Sequence, residues 1–211
     1  MYDRSKRVGA SDAVHIQVGD WAQLYDRKTS SDSPDYGLAA ELGHRLEAFN
    51  LELFERDTGR EVYVDDNWGS DPRFLHDHPW CTYLPDGLLC QEEDDDIASW
   101  RTNRTSIFGE PVDDEEDFFI PFEAKAINMM WKPELLLKKY MPQLQHAMRV
   151  MKAPYSIFSV IYLNTRYEWT KVEYDEPYDD ALFEKEQTFQ FMLDRGIRPP
   201  EYKGKRAGWI E

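Results

Sequence analysis

Two short charged motifs, each in or beside an apolar stretch typical of a β-strand, constrain this 211-residue chain more than any other feature. Pro85-Asp86-Gly87 lies within the run 80–89, and Glu123-Ala124-Lys125 closes the run 118–125. Alternate side chains of a strand point to the same face, so Glu123 and Lys125 project together. If the two strands pair, Asp86 lies beside Glu123, and a hard divalent cation such as Mg²⁺ would relieve the repulsion between the carboxylates.

Such a site suits phosphodiester chemistry. The ammonium of Lys125 could hold or deprotonate an attacking water, or stabilise charge on a phosphate. Each motif by itself also has a simpler interpretation, because Pro-Asp-Gly is a common turn and Glu-x-Lys on an exposed strand is often a solvated charge pair. The rest of the chain has to decide between the two.

The charge of the chain is strongly negative but unevenly distributed. The formal net charge is −16, and residues 90–117 (net −9) and 173–186 (net −6) supply nearly all of it. Nucleic-acid phosphates are bound by Lys and Arg, so this balance excludes a general basic coat. A local binding groove elsewhere on the surface is still compatible with it.

Length and composition predict one globular domain with a sizeable core over residues 1–211. Within it we expect an acidic insertion at about residues 90–117 and a basic, mobile tail at about residues 198–211. No apolar run has the length of a membrane span and no signal peptide is evident, so we expect no membrane association and a cytoplasmic location. Cys81 and Cys90 form no C-x-x-C pair, which argues against zinc and iron–sulfur sites.

Hydrophobic periodicity predicts an α/β domain, a small mixed β-sheet flanked by helices. Helices are predicted from Ser11, which could act as the cap, through Tyr25; from about residue 36 to 58; from Pro133, with a break, kink or restart at Pro142; and over 179–194. Strands are predicted at 61–64, 80–89, 118–125, 157–163 and 169–174, the last two as a hairpin across residues 164–166.

Five stretches in order resemble the YqaJ-type viral recombinase family, the family of phage lambda exonuclease, which has the PD-(D/E)xK nuclease fold. The stretches are Arg4 to Ser11, similar to the family's R…(G/T)AS opening; Gly43 to Glu47, on the long helix; Leu84 to Leu88, with the PDG motif; Glu123 to Lys125, with E-x-K; and Tyr140 to Gln145, similar to Y-x-x-Q-x-Q. Each match alone is weak, and their shared order makes the resemblance specific. The long gap between Asp86 and Glu123 and the proline at position 142 depart from the family pattern.

The resemblance implies a role for each matched residue. The metal ligands would be Asp86, Glu123 and the carbonyl of Ala124, with Glu47 contacting a second ion directly or through water. Lys125 and Gln143 would orient the attacking water. Arg4 and Ser11 would hold a terminal 5′-phosphate, and Tyr140 would lie close to the site.

The activity implied is that of a Mg²⁺-dependent, ATP-independent 5′→3′ double-strand DNA exonuclease, using two ions for which Mn²⁺ substitutes. It would leave a 3′ overhang at DNA ends for phage-type recombination, with a single-strand annealing protein as partner, in a ring-shaped homotrimer. Its gene would belong to a phage or prophage in a bacterial host. Two alternatives stay open: a related PD-(D/E)xK endonuclease, and a catalytically silent acidic protein that binds partners or mimics DNA.

Two histidines in a loop and two polar residues of the predicted helix that begins at Pro133 are not assigned to the site from the sequence. The two histidines of His76-Asp77-His78 have a spacing that could bind a metal ion, but histidines in a polar loop are mostly solvated. Gln145 is equally compatible with a site role and with an ordinary helix position. For His146 we predict a structural role.

Overall fold

The structure is a computed structural model that describes residues 4–30, 37–65, 74, 78–90, 119–127, 131–162 and 166–201. Its α-helices in these ranges are α1 (Ala10–Val18), α2 (Trp21–Thr29), α3 (Gly37–Thr58), α4 (Pro133–Met151) and α5 (Glu176–Asp194). A short 3-10 helix spans Arg4–Lys6. None of the helices in the described ranges combines the length and apolar character that a membrane crossing requires.

The strands form two sheets. β1 (Val8–Gly9) pairs in parallel with β2 (Cys81–Thr82). A mixed sheet contains β3 (Gly87–Cys90), β4 (Phe119–Ile127), β5 (Tyr155–Tyr162) and β6 (Arg166–Glu173) in that spatial order. Only β4 and β5 run parallel in this sheet, and α4 lies between them in the chain, since parallel neighbours need a crossover connection. The predicted small mixed sheet with flanking helices is therefore confirmed.

Two long helices cover the mixed sheet on opposite faces. Phe54 of α3 meets Phe122 of β4 edge-on, with 5.0 Å between ring centroids. Adjacent strand residues point to opposite faces, so Glu123 projects to the other side, where α4 supplies Gln143 as its partner. The carboxylate and lysine of the E-x-K motif are thus enclosed between the sheet and α4.

The predicted strand 80–89 is wrong in one respect, because the run is divided between the two sheets. β2 ends at Thr82 and pairs with β1, whereas β3 begins at Gly87 and pairs with β4. Pro85 has no N–H to donate to a strand ladder, which favours an interruption there. The predicted strand at 61–64 is reduced to a single bridge between Tyr63 and Leu88.

The predicted N-terminal helix is two helices. Gly19 adopts a left-handed conformation with φ of 83°, which ends α1 before α2 begins. Ser11 does not cap α1, because the helix already begins at Ala10. The cap contact comes from Asp12, whose carboxylate accepts the N–H of Gly9 at 2.9 Å. Ser11 therefore lies inside the first turn, with its side chain exposed.

Pro142 does not break its helix. α4 continues through it, and every residue from Pro142 to Val150 is buried, so packing outweighs the loss of one backbone hydrogen bond. The last helix begins earlier than predicted, at Glu176, because the side chain of Asp175 caps it by accepting the N–H of Tyr178. The predicted hairpin of β5 and β6 is confirmed as an antiparallel pair, and residues 163–165 of its turn lie outside the described residues.

Candidate active site

Pairing of β3 with β4 places Asp86 beside the E-x-K motif. Gly87 pairs with Phe122, and the carboxylate of Asp86 accepts the backbone N–H of Ala124 at 2.9 Å. A methyl group at Gly87 would clash with Val62, so glycine lets the chain pass closely beneath that side chain. The Pro-Asp-Gly motif is thus part of the structure that holds Asp86 against β4.

Three oxygen atoms from β4 and Asp86 converge on one ammonium group. Nζ of Lys125 forms a salt bridge with Glu123, lies 3.2 Å from the carbonyl oxygen of Ala124, and lies 3.7 Å from Oδ2 of Asp86. The amide of Gln143 donates to the same Glu123 oxygen. The structure therefore brings together four side chains and one carbonyl that were predicted for the site: Asp86, Glu123, Lys125, Gln143 and Ala124.

The electrostatics of this group favour an additional cation. Burial and the nearby charge of Asp86 raise the pKa of Glu123 to about 8, although Lys125 lowers it in part. Burial alone would lower the pKa of Lys125, but the attraction of Glu123 and Asp86 dominates and raises it. Two carboxylates thus share one ammonium, and such hard oxygen donors fit Mg²⁺.

A cavity of about 260 Å³ opens onto these groups. Its lining includes Asp86, Glu123, Lys125 and Gln143 together with the start of α1, at Gly9, Ala10 and Ser11. The N-terminus of a helix carries partial positive charge and favours anions. Ser11 is accordingly brought to the carboxylate site from a distant part of the sequence, as predicted, and its role stays a prediction.

The other predicted site residues lie at different distances from the carboxylates. The Tyr140 ring centroid lies 5.4 Å from Nζ of Lys125, close to the site. Glu47 is half-buried on α3, does not line the cavity, and contacts Nδ1 of His44 at 3.3 Å. The side chain of Arg4 lies outside the described residues.

Gln145 points away from the carboxylates. Its amide nitrogen donates to the carbonyl of Glu173, and its oxygen accepts the N–H of Asp175. It therefore fastens α4 to the junction between β6 and α5. In the His76-Asp77-His78 motif, His78 packs against Trp80, with 5.8 Å between ring centroids. His76 and Asp77 lie outside the described residues.

A second buried polar cluster surrounds His146, where a structural role was predicted. Its Nδ1 lies 2.9 Å from Glu186, and its Nε2 lies 2.9 Å from the carbonyl of Thr82 and 3.7 Å from Sγ of Cys81. Arg149 forms ion pairs with Glu186 and Asp179. This cluster joins β2, α4 and α5, and no short sequence motif could have revealed it because its members come from separate elements.

The ligand atoms of Cys81, His146 and Glu186 lie within 4.8 Å of one another, a spacing that a metal ion could bridge. Arg149, however, already pairs with Glu186, and its Nη2 lies 3.8 Å from Cys81 Sγ. The same Nη2 atom lies 3.0 Å from Nδ1 of His146, so a positively charged group already contacts all three of these residues. The carboxylates of Asp86 and Glu123 remain the predicted metal ligands.

The His146 cluster predicts a loss of stability at alkaline pH. Burial lowers the pKa of His146, but Cys81 and Glu186 outweigh it and raise the pKa from 6.5 to about 10. Because the pKa of His146 is higher in the folded state, protonated His146 stabilises the folded protein. This contribution is complete below pH 6.5 and disappears as the pH rises towards 10. We expect the melting temperature of the wild type to fall by about 5 °C more than that of His146→Gln over this range, corresponding to about 2 kcal/mol. If calorimetry shows that the melting temperatures of both proteins fall equally with pH, this prediction is wrong.

Solved structures of one enzyme share this fold. The alkaline exonuclease LHK-Exo from Laribacter hongkongensis matches with a TM-score of 0.61 at 18% identity, over 92% of this chain and 91% of that one. LHK-Exo in complex with dAMP matches with a TM-score of 0.64 at 16% identity, over the same shares of both chains. No protein-family model and no curated protein sequence matches the chain. The predicted nuclease fold is thereby confirmed, because the chain shares its fold with these exonuclease structures.

Proposed function

We propose that this protein is a Mg²⁺-dependent deoxyribonuclease that degrades DNA from its ends. The observation that carries the proposal is the convergence of Asp86, Glu123 and the Ala124 carbonyl on the ammonium of Lys125. These oxygens are the predicted metal ligands, and a cation already lies among them. The similarity of fold to an alkaline exonuclease supports the same class of reaction.

Each residue has a defined task in this proposal. Asp86, Glu123 and the Ala124 carbonyl would hold Mg²⁺, with Mn²⁺ as a substitute, and bound metal would acidify water and neutralise charge on the cleaved phosphate. The amide of Gln143 keeps Glu123 in place and, with Lys125, would orient the attacking water. Glu47 would contribute to a second ion, directly or through water.

We also propose a direction of degradation, supported by the start of α1, which lines the same cavity as the carboxylates. Ser11 and the start of α1 would receive a terminal 5′-phosphate, with Arg4 as its cationic partner, which makes the enzyme a 5′→3′ exonuclease that leaves a 3′ overhang. LHK-Exo was solved in complex with dAMP, and we infer that the cavity beside the carboxylates would hold a similar nucleotide here.

A 5′-phosphorylated duplex should be degraded about ten-fold faster than one ending in a 5′-hydroxyl, because charge-assisted hydrogen bonds are worth roughly 1.5–3 kcal/mol. Ser11→Ala and Arg4→Ala should each reduce this ratio while leaving Mn²⁺ binding unchanged. The measurement is a side-by-side digestion of two duplexes that differ only in that phosphate. Equal wild-type rates would exclude a phosphate role for both residues.

We extend the proposal to the assembly. Because the chain carries a net charge of −16, one copy could neutralise few phosphates, whereas a ring-shaped homotrimer encloses the DNA and needs only modest attraction. Light scattering that finds only monomers while degradation remains processive would contradict the ring. A single-strand annealing protein that receives the 3′ overhang, and a cytoplasmic site of action in a phage-infected or lysogenic bacterium, complete the proposal.

The experiment that tests the function uses linear and covalently closed DNA. Purified protein with Mg²⁺ should release mononucleotides from linear duplex, leave closed circles intact, and be inactive in EDTA. Cutting of the closed circles would instead indicate the related endonuclease. No Mg²⁺-dependent product from any DNA would favour the acidic binding protein or DNA mimic.

A further inference from the structure

A buried asparagine connects the backbone of the candidate catalytic strand to α3. Asn50 is 1% exposed, and its Nδ2 donates to the carbonyl oxygens of Lys125, at 3.2 Å, and Ser159, at 3.1 Å. The hydroxyl of Ser159 donates to its Oδ1. Both donors and the acceptor of the amide are therefore used, which removes the cost of burying it.

The network extends across the sheet. Ser159 is fully buried on β5, and because its own proton goes to Asn50, it accepts from the hydroxyl of Tyr167 on β6 at 3.1 Å. A continuous network of side-chain hydrogen bonds thus joins α3 to the three neighbouring strands β4, β5 and β6. Such a chain specifies one arrangement, since sliding or rotating α3 would leave a buried amide unsatisfied.

The anchored carbonyl belongs to Lys125, whose side chain and preceding carbonyl are both in the site. Anchoring this carbonyl restrains the stretch of β4 backbone that also carries the Lys125 side chain and the Ala124 carbonyl. Glu47 precedes Asn50 by three residues on α3, so the two lie on the same helix face, about 5–6 Å apart between Cβ atoms. The same amide therefore ties the part of α3 that carries Glu47 to the strand that carries the β4 ligands.

We propose that Asn50 is a positioning residue that holds α3, and with it Glu47, at the distance from β4 that metal binding requires. This inference rests on the proposed function, because it assigns the carboxylates of Glu47, Asp86 and Glu123 to one metal centre. Asn50 itself acts only through the residues that it orients.

The test is Asn50→Leu, which keeps similar bulk and removes the amide. We expect Mn²⁺ affinity in calorimetry, without DNA, to fall about ten-fold, and the Mg²⁺ concentration for half-maximal digestion to rise by a similar factor, as for other residues that orient metal ligands. Gln145→Met is the matched control. It also removes a buried amide that bonds two backbone groups, at Glu173 and Asp175, but away from the carboxylates. It should lower the melting temperature and leave Mn²⁺ affinity unchanged.

Ser159→Ala keeps the inference testable if Asn50→Leu does not fold. It removes one bond to the amide, and a loss of about three-fold or more in Mn²⁺ affinity is expected from one hydrogen bond. Wild-type Mn²⁺ affinity in a folded Asn50→Leu variant, or in Ser159→Ala when only that variant folds, would overturn the inference, as would an equal loss in Gln145→Met. A wild type that binds Mn²⁺ but digests no DNA would refute the proposed function alone, provided that Asn50→Leu still weakens binding. A wild type that binds no Mn²⁺ would refute both.

Discussion

Asp86→Asn should reduce DNA degradation by on the order of 10³-fold while the protein stays folded, because several kcal/mol of charge stabilisation at the metal are lost. The substitution is well suited to the question. Asp86 accepts the N–H of Ala124 at 2.9 Å, and an asparagine oxygen can accept the same bond, so the local backbone is preserved. What changes is one hard, charged ligand.

Asp57→Asn is the matched control for this substitution. Asp57 lies on α3 and also accepts a hydrogen bond, from Nε1 of Trp169 at 2.7 Å, but it is not part of the candidate site. The comparison requires rates on linear duplex at saturating Mg²⁺, Mn²⁺ calorimetry and melting curves for all three proteins. Near-wild-type digestion by a folded Asp86→Asn variant would refute the metal site, and equal loss in Asp57→Asn would show that the effect is not specific to it.

Lys125→Met should separate metal binding from catalysis. We expect the rate to fall by on the order of 10²–10³-fold, since the group that would orient water or stabilise phosphate charge is removed. Mn²⁺ should bind at least as tightly as to the wild type. The reason is that the ammonium of Lys125 contacts the same three oxygens that would hold the ion, and its removal ends this competition.

Lys171→Met provides the comparison, because Lys171 lies over the ring of Tyr155, at 4.0 Å from the centroid, and outside the candidate site. For Lys171→Met, the rate of single-turnover digestion and the Mn²⁺ affinity in calorimetry should both equal those of the wild type. If Lys125→Met loses Mn²⁺ binding together with activity, Lys125 supports the site only structurally. If it retains activity, the proposed catalytic role is wrong.

The sequence was sufficient for the parts of the fold that depend on neighbours along the chain. The apolar repeat in residues 36–58 predicted α3, and the β-rich runs around Ile157 and Trp169 predicted the antiparallel pair of β5 and β6. Short-range patterns express the 3.6-residue and two-residue periods of helix and strand. They could not show that residues 80–89 divide between two sheets, because that depends on which strands are available as partners.

The candidate site shows the same division. The Pro-Asp-Gly and Glu-x-Lys motifs were enough to predict that Asp86, Glu123 and Lys125 meet, and the family resemblance implied that Gln143 joins them. The sequence gives no sign that Asn50 would hold Lys125, 75 residues away, or that Glu47 would lie outside the cavity. Hydrogen bonds of this kind are decided by how α3 packs on the sheet.

Residue identity and spacing are local properties of a chain, and they were enough to predict the chemical types in the site and the elements that carry them. Tertiary packing is responsible for the burial that raises the pKa of Glu123, for the anchoring of Lys125 by Asn50, and for the pairing of His146 with Cys81 and Glu186. These features arise from contacts between residues far apart in sequence. Their energies depend on exclusion of water and on distances that only the packed structure sets.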